Sequence, residues 1–197
     1  LSTELGNTDK INTLINECKE MNINVLIPDI KTSNKHFNVN ADLDIKYGLG
    51  AIKGVADSFI DHVIDVRKER SFKDLFDLTK KVNIRLGGKK SIEALTKAGA
   101  FDGLAPSRSV ALACMEDMLR EGQKNSAKMA GTSDLFASME DTFDPYEKYI
   151  NVKDLSKEDL LNHEKDALGY YFSGHPVMAI EGMINNLRSH TIGEITD

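Results

Sequence analysis

Tryptophan is absent, cysteine occurs twice and proline four times in 197 residues. Cys18 and Cys114 lie far apart with no CxxC between them. That excludes a disulfide-dense scaffold and a cysteine-based zinc site, and it suits a reducing, cytoplasmic setting. No apolar run approaches the ~18 residues that a membrane span needs, so no membrane partner is expected. The first residue is Leu1, and no charged-then-apolar signal segment follows it. The chain therefore reads as a segment of a longer protein. His36, His62, His163, His175 and His190 show no HxH, HxxxH or HExxH spacing, so no metal site is assigned. No G-x-S-x-G or other nucleophile constellation is present. The glycines at 48, 50 and 54 do not have dinucleotide-binding spacing. No catalytic residue and no cofactor are assigned to this chain.

What is present suffices for a folded protein. Apolar residues make up 41% of the chain, enough to bury a core, and the length fits one domain or two small ones. The net charge of −6 hides an asymmetry. From Arg67 to Lys90 there are nine basic and three acidic residues, net +6. From Asp134 to Asp166 there are four basic and ten acidic residues, net −6. A basic block inside an acidic chain points to a polyanionic partner, unless it is only a solvated helix face.

The elements read as mainly α with a small β part. Thr8 is placed to cap a helix over 8–21, with Ile11, Leu14, Ile15 and Cys18 on one face. Residues 23–27, 36–40 and 45–47 have strand character. Helices are predicted over 57–68, from Ser71, over 91–98, over 107–123, over 156–168 and over 176–187. Gly87-Gly88 reads as a break, and residues 122–145 read as a linker. The pair Asp42-Leu-Asp44 decorates a turn, His175 makes turn hydrogen bonds, and Tyr170-Tyr-Phe172 reads as core. Thr191 to Asp197 looks like the start of a strand.

Two helix–glycine-turn–helix units carry the functional reading. The first is Gly48-Leu-Gly-Ala-Ile-Lys-Gly-Val55, leading into the helix at 57. The second is Ile92-Glu-Ala-Leu-Thr-Lys-Ala-Gly99, leading towards the helix at 107. A helix restarting after a glycine turn offers free N–H groups and a positive dipole end to a phosphate oxygen. Lys53, Gly54 and Val55 in the first unit, Lys89 and Lys90 before the second, and Lys97 and Gly99 within it are the candidate DNA-binding residues. Such contacts carry affinity without base sequence. The first unit has Ala56 where a second glycine is common. This is a tandem helix-hairpin-helix arrangement for duplex DNA. A stand-alone helix-hairpin-helix DNA repair enzyme and a protein-docking module remain the alternatives.

The ordered motifs Gly48–Val55, Ser71-Phe-Lys-Asp-Leu-Phe-Asp77, Leu95-Thr-Lys-Ala-Gly-Ala-Phe-Asp102 and Glu164-Lys-Asp-Ala-Leu-Gly-Tyr-Tyr-Phe-Ser-Gly-His-Pro176 resemble the C-family of bacterial replicative DNA polymerases, the DNA polymerase III alpha subunits. Met21–Asp29 resembles the fingers region of that family. The resemblance implies the end of a fingers domain over 1–47 and a tandem helix-hairpin-helix domain over 48–125. A linker with a clamp-binding motif over 126–145, a helical extension over 146–189 and the start of an OB-fold over 190–197 would follow. In the family a pentapeptide, roughly Gln-x-x-Leu/Met-Phe, inserts into the ring-shaped beta sliding clamp. Here it corresponds to Thr132, Ser133, Asp134, Leu135 and Phe136, with Thr132 in place of the glutamine. The resemblance further implies a DNA-directed DNA polymerase as the parent chain, with its magnesium-binding aspartates in a palm domain, and holoenzyme subunits as further partners.

Overall fold

A computed structural model describes residues 1–129 and 144–179. Among them the chain forms seven α-helices and one small sheet. Helix α1 (Thr8–Glu20) buries Ile11 and Ile15, one face of the predicted period. Its cap is Asn7 rather than Thr8, because the Asn7 side chain accepts from the Lys10 N–H at 3.2 Å. Three two-residue strands follow: β1 (Val25–Leu26), β2 (Asn38–Val39) and β3 (Ile45–Lys46). β3 is central, with β1 parallel to it (Val25 opposite Ile45) and β2 antiparallel (Val39 opposite Ile45). The turn between β2 and β3 is closed by Asn40, whose side-chain oxygen accepts from the Asp42 and Asp44 N–H groups. The carboxylate pair at 42 and 44 thus belongs to a turn, as its sequence suggests.

The helical part comprises α2 (Asp57–Glu69), α3 (Leu75–Lys81), α4 (Gly88–Lys97), α5 (Arg108–Ala113), α6 (Met115–Met129) and α7 (Lys157–Leu168). Several boundaries differ from the sequence reading. α3 starts at Leu75 and not at Ser71, since Asp74 caps it by accepting from the Asp77 N–H at 2.8 Å. Gly87-Gly88 does mark the break that its sequence suggests. It joins a 3₁₀ turn (Ile84–Leu86) directly to α4, with Gly88 at φ +62°. The helix predicted over 107–123 is two helices meeting at Cys114. Both bury the same apolar run, Val110, Ala111, Cys114, Met115 and Met118, so the periodicity reads straight through the junction. α6 then runs to Met129, crossing the start of the predicted linker. Gly122 lies inside α6, where a Cβ would be 2.7 Å from Ile84 Cγ1, so the close packing there requires glycine. Ser156 caps α7, accepting from the Asp159 N–H at 3.0 Å. The predicted helix from Pro176 is described only as a 3₁₀ turn to Ala179.

One hydrophobic cluster joins all these parts. It runs from Ile11 and Ile15 through Tyr47, Phe59, Leu75, Leu95, Phe101 and Met118 to Leu168. Burying each such aliphatic side chain contributes roughly 1.5–3 kcal/mol. The N-terminal sheet region, the glycine turns and α7 therefore share a core. Tyr47 sits at its centre, fully buried, its ring edge-on to Phe37 and Phe172 and its hydroxyl donating to the Leu168 carbonyl at 3.3 Å.

Candidate nucleic-acid interface

The first glycine turn is not preceded by a full helix. Its leading limb is a single 3₁₀ turn, Leu49–Ala51. Gly48 and Gly50 serve packing, because a Cβ at either would lie within 3 Å of the backbone at Lys35. Only Gly54 is left-handed here, with φ +86°, and it is exposed. Its missing side chain lets the Lys90 stem lie across the turn, since a Cβ at Gly54 would be 3.0 Å from Lys90 Cε. The Val55 N–H closes the turn onto the Ile52 carbonyl at 3.4 Å. α2 then starts from Ala56 with no side-chain cap.

Two contacts hold this turn in place. The Lys53 N–H donates to the Ala167 carbonyl at 2.9 Å, near the C-terminus of α7. The Ala56 N–H donates to Ser91 Oγ on α4 at 3.1 Å. Consequently Lys53, Lys90 and Lys97 line one cavity of about 190 Å³, together with Glu93, Asp166, Ala94 and Ala167. Lys53 and Lys90 have no ion pair among the described residues, whereas Lys97 is paired with Glu93 at 2.9 Å. The hydrogen bond from Lys97, with its charge, holds the Glu93 carboxyl below its usual value. His163 of α7 lies beside this group. Burial, then the Lys97 charge, pushes its imidazole pKa below the ordinary value, and its Nδ1 is buried without a partner among the described residues.

The second turn is built differently. α4 ends in paired bonds, Ala100 N–H to Leu95 O at 2.9 Å and Gly99 N–H to Thr96 O at 3.0 Å, with Gly99 at φ +80°. Its backbone donors are thus occupied within the protein. Gly99 is buried, and a Cβ there would collide with the Arg108 guanidinium. Arg108 is 9% exposed and binds Asp102 through both carboxylate oxygens, at 2.9 to 3.1 Å, and Glu164 at 3.2 Å. The Glu164 carboxylate also accepts from the Phe172 and Ser173 N–H groups, each at 2.8 Å. Gly99 is therefore a packing residue. Lys89 lies outside the cavity, paired with Glu116 at 3.2 Å.

The basic block is likewise divided. Arg67 is held inward by the Ile30 carbonyl at 2.9 Å and Asn34 at 3.0 Å. Lys68 and Lys81 pair with Asp65 and Asp77. Arg70, Lys73, Lys80 and Arg85 are exposed and unpaired among the described residues. Sequence reasoning missed Ser91, Glu93, Asp166 and Glu164. Only Glu93 left a signal, four residues ahead of Lys97 on one helix face. The candidate clamp residues Thr132, Ser133, Asp134, Leu135 and Phe136 lie outside the described residues. His175 does make its turn bond, Nδ1 accepting from the Val177 N–H at 3.3 Å.

A family model described as a helix-hairpin-helix motif matches residues 22–111. The chain is 35% identical over 214 residues to a Pseudomonas aeruginosa protein named DNA polymerase III subunit alpha, covering 99% of the chain and 18% of that relative. Proteins of the same name from Haemophilus influenzae and Escherichia coli are 38% and 32% identical over 180 residues, covering 90% of the chain and 16% of each relative. The chain thus spans less than a fifth of the length of these curated relatives.

Proposed function

The chain belongs to the family of bacterial DNA polymerase III alpha subunits, and from that membership we propose that it is the segment that grips duplex DNA and the sliding clamp for a replicative polymerase. The observation that carries the DNA part is the cavity where Lys53, Lys90 and Lys97 converge beside the exposed Gly54 turn and the uncapped start of α2. Backbone amides and lysines there suit phosphate oxygens and read no bases. The parent chain would catalyse template-directed DNA synthesis in the bacterial cytoplasm, its magnesium held by a palm domain. This segment itself supplies position and not chemistry. The clamp contact rests on Thr132 to Phe136, where Leu135 and Phe136 supply an apolar anchor in an otherwise polar stretch. Two weak contacts on one body raise avidity through effective concentration.

Titration of the chain against duplex DNA over a salt series tests the first contact. Two or three phosphates contacted give a slope of log K against log salt of roughly −2 to −3. An affinity indifferent to salt overturns the reading.

A further inference from the structure

Two of the residues lining the lysine cavity are acids, Glu93 and Asp166. We infer that they set the strength of the phosphate grip, Glu93 by holding Lys97 back from the ligand and Asp166 by repelling it; the inference rests on the proposed phosphate site. Lys97 Nζ lies 2.9 Å from Glu93 Oε1, one turn away on α4, and both side chains are partly screened from solvent, at 26% and 40% exposure. Lys53 and Lys90 have no such competitor among the described residues. The cavity therefore holds two free cations and one committed cation. Asp166 comes from α7, whose neighbouring Ala167 carbonyl anchors the Lys53 backbone. The same docking that shapes the first turn thus carries a carboxylate to the rim. A segment that must let duplex DNA pass needs contacts that are individually weak, and a site with its own competing anions provides that.

The two acids act by different physics, so their removal has different signatures. Glu93→Gln frees Lys97 to reach a phosphate. DNA affinity at low salt should rise roughly threefold to tenfold, and the salt slope should steepen by about 0.9, one added phosphate contact. Asp166→Asn removes repulsion without adding a cation, so affinity rises while the slope stays put. Lys97→Ala alone bares the Glu93 carboxylate and weakens binding, and in the Glu93→Gln background it abolishes the gain. The experiment is fluorescence anisotropy of the 197-residue chain on one labelled duplex across a salt series, with a thermal melt of each variant. Wild-type binding that depends on salt, with Glu93→Gln no tighter, overturns the inference and leaves the phosphate site standing. A gain that survives Lys97→Ala overturns it too. No DNA binding by wild type or by either acid variant overturns the phosphate site, and this inference with it.

Discussion

Gly54 and Gly99 share a residue type and a left-handed backbone, at φ +86° and +80°, but their surroundings give them different work. Gly54 is exposed beside the lysine cavity, with only the flexible Lys90 stem against it. Gly54→Ala should cost about 1 kcal/mol of backbone strain, at the low end for a left-handed position, and weaken DNA binding by shifting Lys90. Gly99→Ala adds a collision with the buried Arg108 to the same strain. It should destabilise by about 3 kcal/mol or more, seen as a lowered urea midpoint. Lys53→Ala leaves its backbone bond to Ala167 intact, so the melting temperature should hold while duplex affinity falls several-fold. If Lys53→Ala binds as wild type does, the first turn is structural only. The cysteines separate in the same way. Burial pushes the Cys114 thiol up to about 11, so at neutral pH it should react with a thiol reagent far more slowly than the half-buried Cys18. Equal rates in the native protein would contradict its burial.

Among the elements, α7 binds the others together. Its last turn accepts from Lys53 and Tyr47 through the Ala167 and Leu168 carbonyls, and its Gly169 carbonyl accepts from Asn12 Nδ2 at 2.7 Å. Glu164, fully buried, ties α7 to Arg108 of α5 and closes the turn at Phe172–Ser173. Removing one partner of a buried ion pair costs about 3–5 kcal/mol. Asp102 stays to neutralise Arg108, so Glu164→Gln should fall near the lower end, about 3 kcal/mol by denaturant titration. A loss under 1 kcal/mol would show that α7 is held by its apolar face alone. The residues after Asp144 are tied down as well. The Tyr146 hydroxyl donates to the Leu104 carbonyl at 2.8 Å and accepts from the Leu75 N–H at 3.0 Å. Asp117 of α6 meets Lys148, Arg120 and the Tyr149 hydroxyl.

For the whole molecule, the proposed DNA and clamp contacts should be separable. Phe136→Ala should weaken binding to a cognate sliding clamp about tenfold to a hundredfold, the burial of one Phe side chain. Duplex affinity should stay unchanged, because the described lining of the lysine cavity comes from the Gly54 turn, α4 and α7. Thr132→Gln should strengthen the clamp contact if the family's polar anchor is missing. Surface plasmon resonance on immobilised clamp decides both, and equal affinity for wild type and Phe136→Ala removes the pentapeptide as anchor. The net charge of −6 keeps duplex binding weak overall, and rising salt should weaken it further.

The amino-acid order alone determined the helices with strong periodicity, such as α1, α2 and α7, the three short strands and the turn at Asp42–Asp44, because local spacing decides those. It also carried the ordered motifs that place the chain in its family, and it marked Lys53, Lys90 and Lys97 as cations near glycine turns. Tertiary packing decided the rest. Gly122 reads as the start of a linker but lies inside α6, packed against Ile84. Gly99 reads as a phosphate turn but is sealed by Arg108, whose partner Glu164 stands 56 residues away. Glu93 reads as ordinary helix surface until α7 brings Asp166 and Ala167 to the same cavity. Contacts across such distances in the chain leave no periodic trace in it, so only the folded arrangement brings Lys53, Lys90 and Lys97 to one cavity.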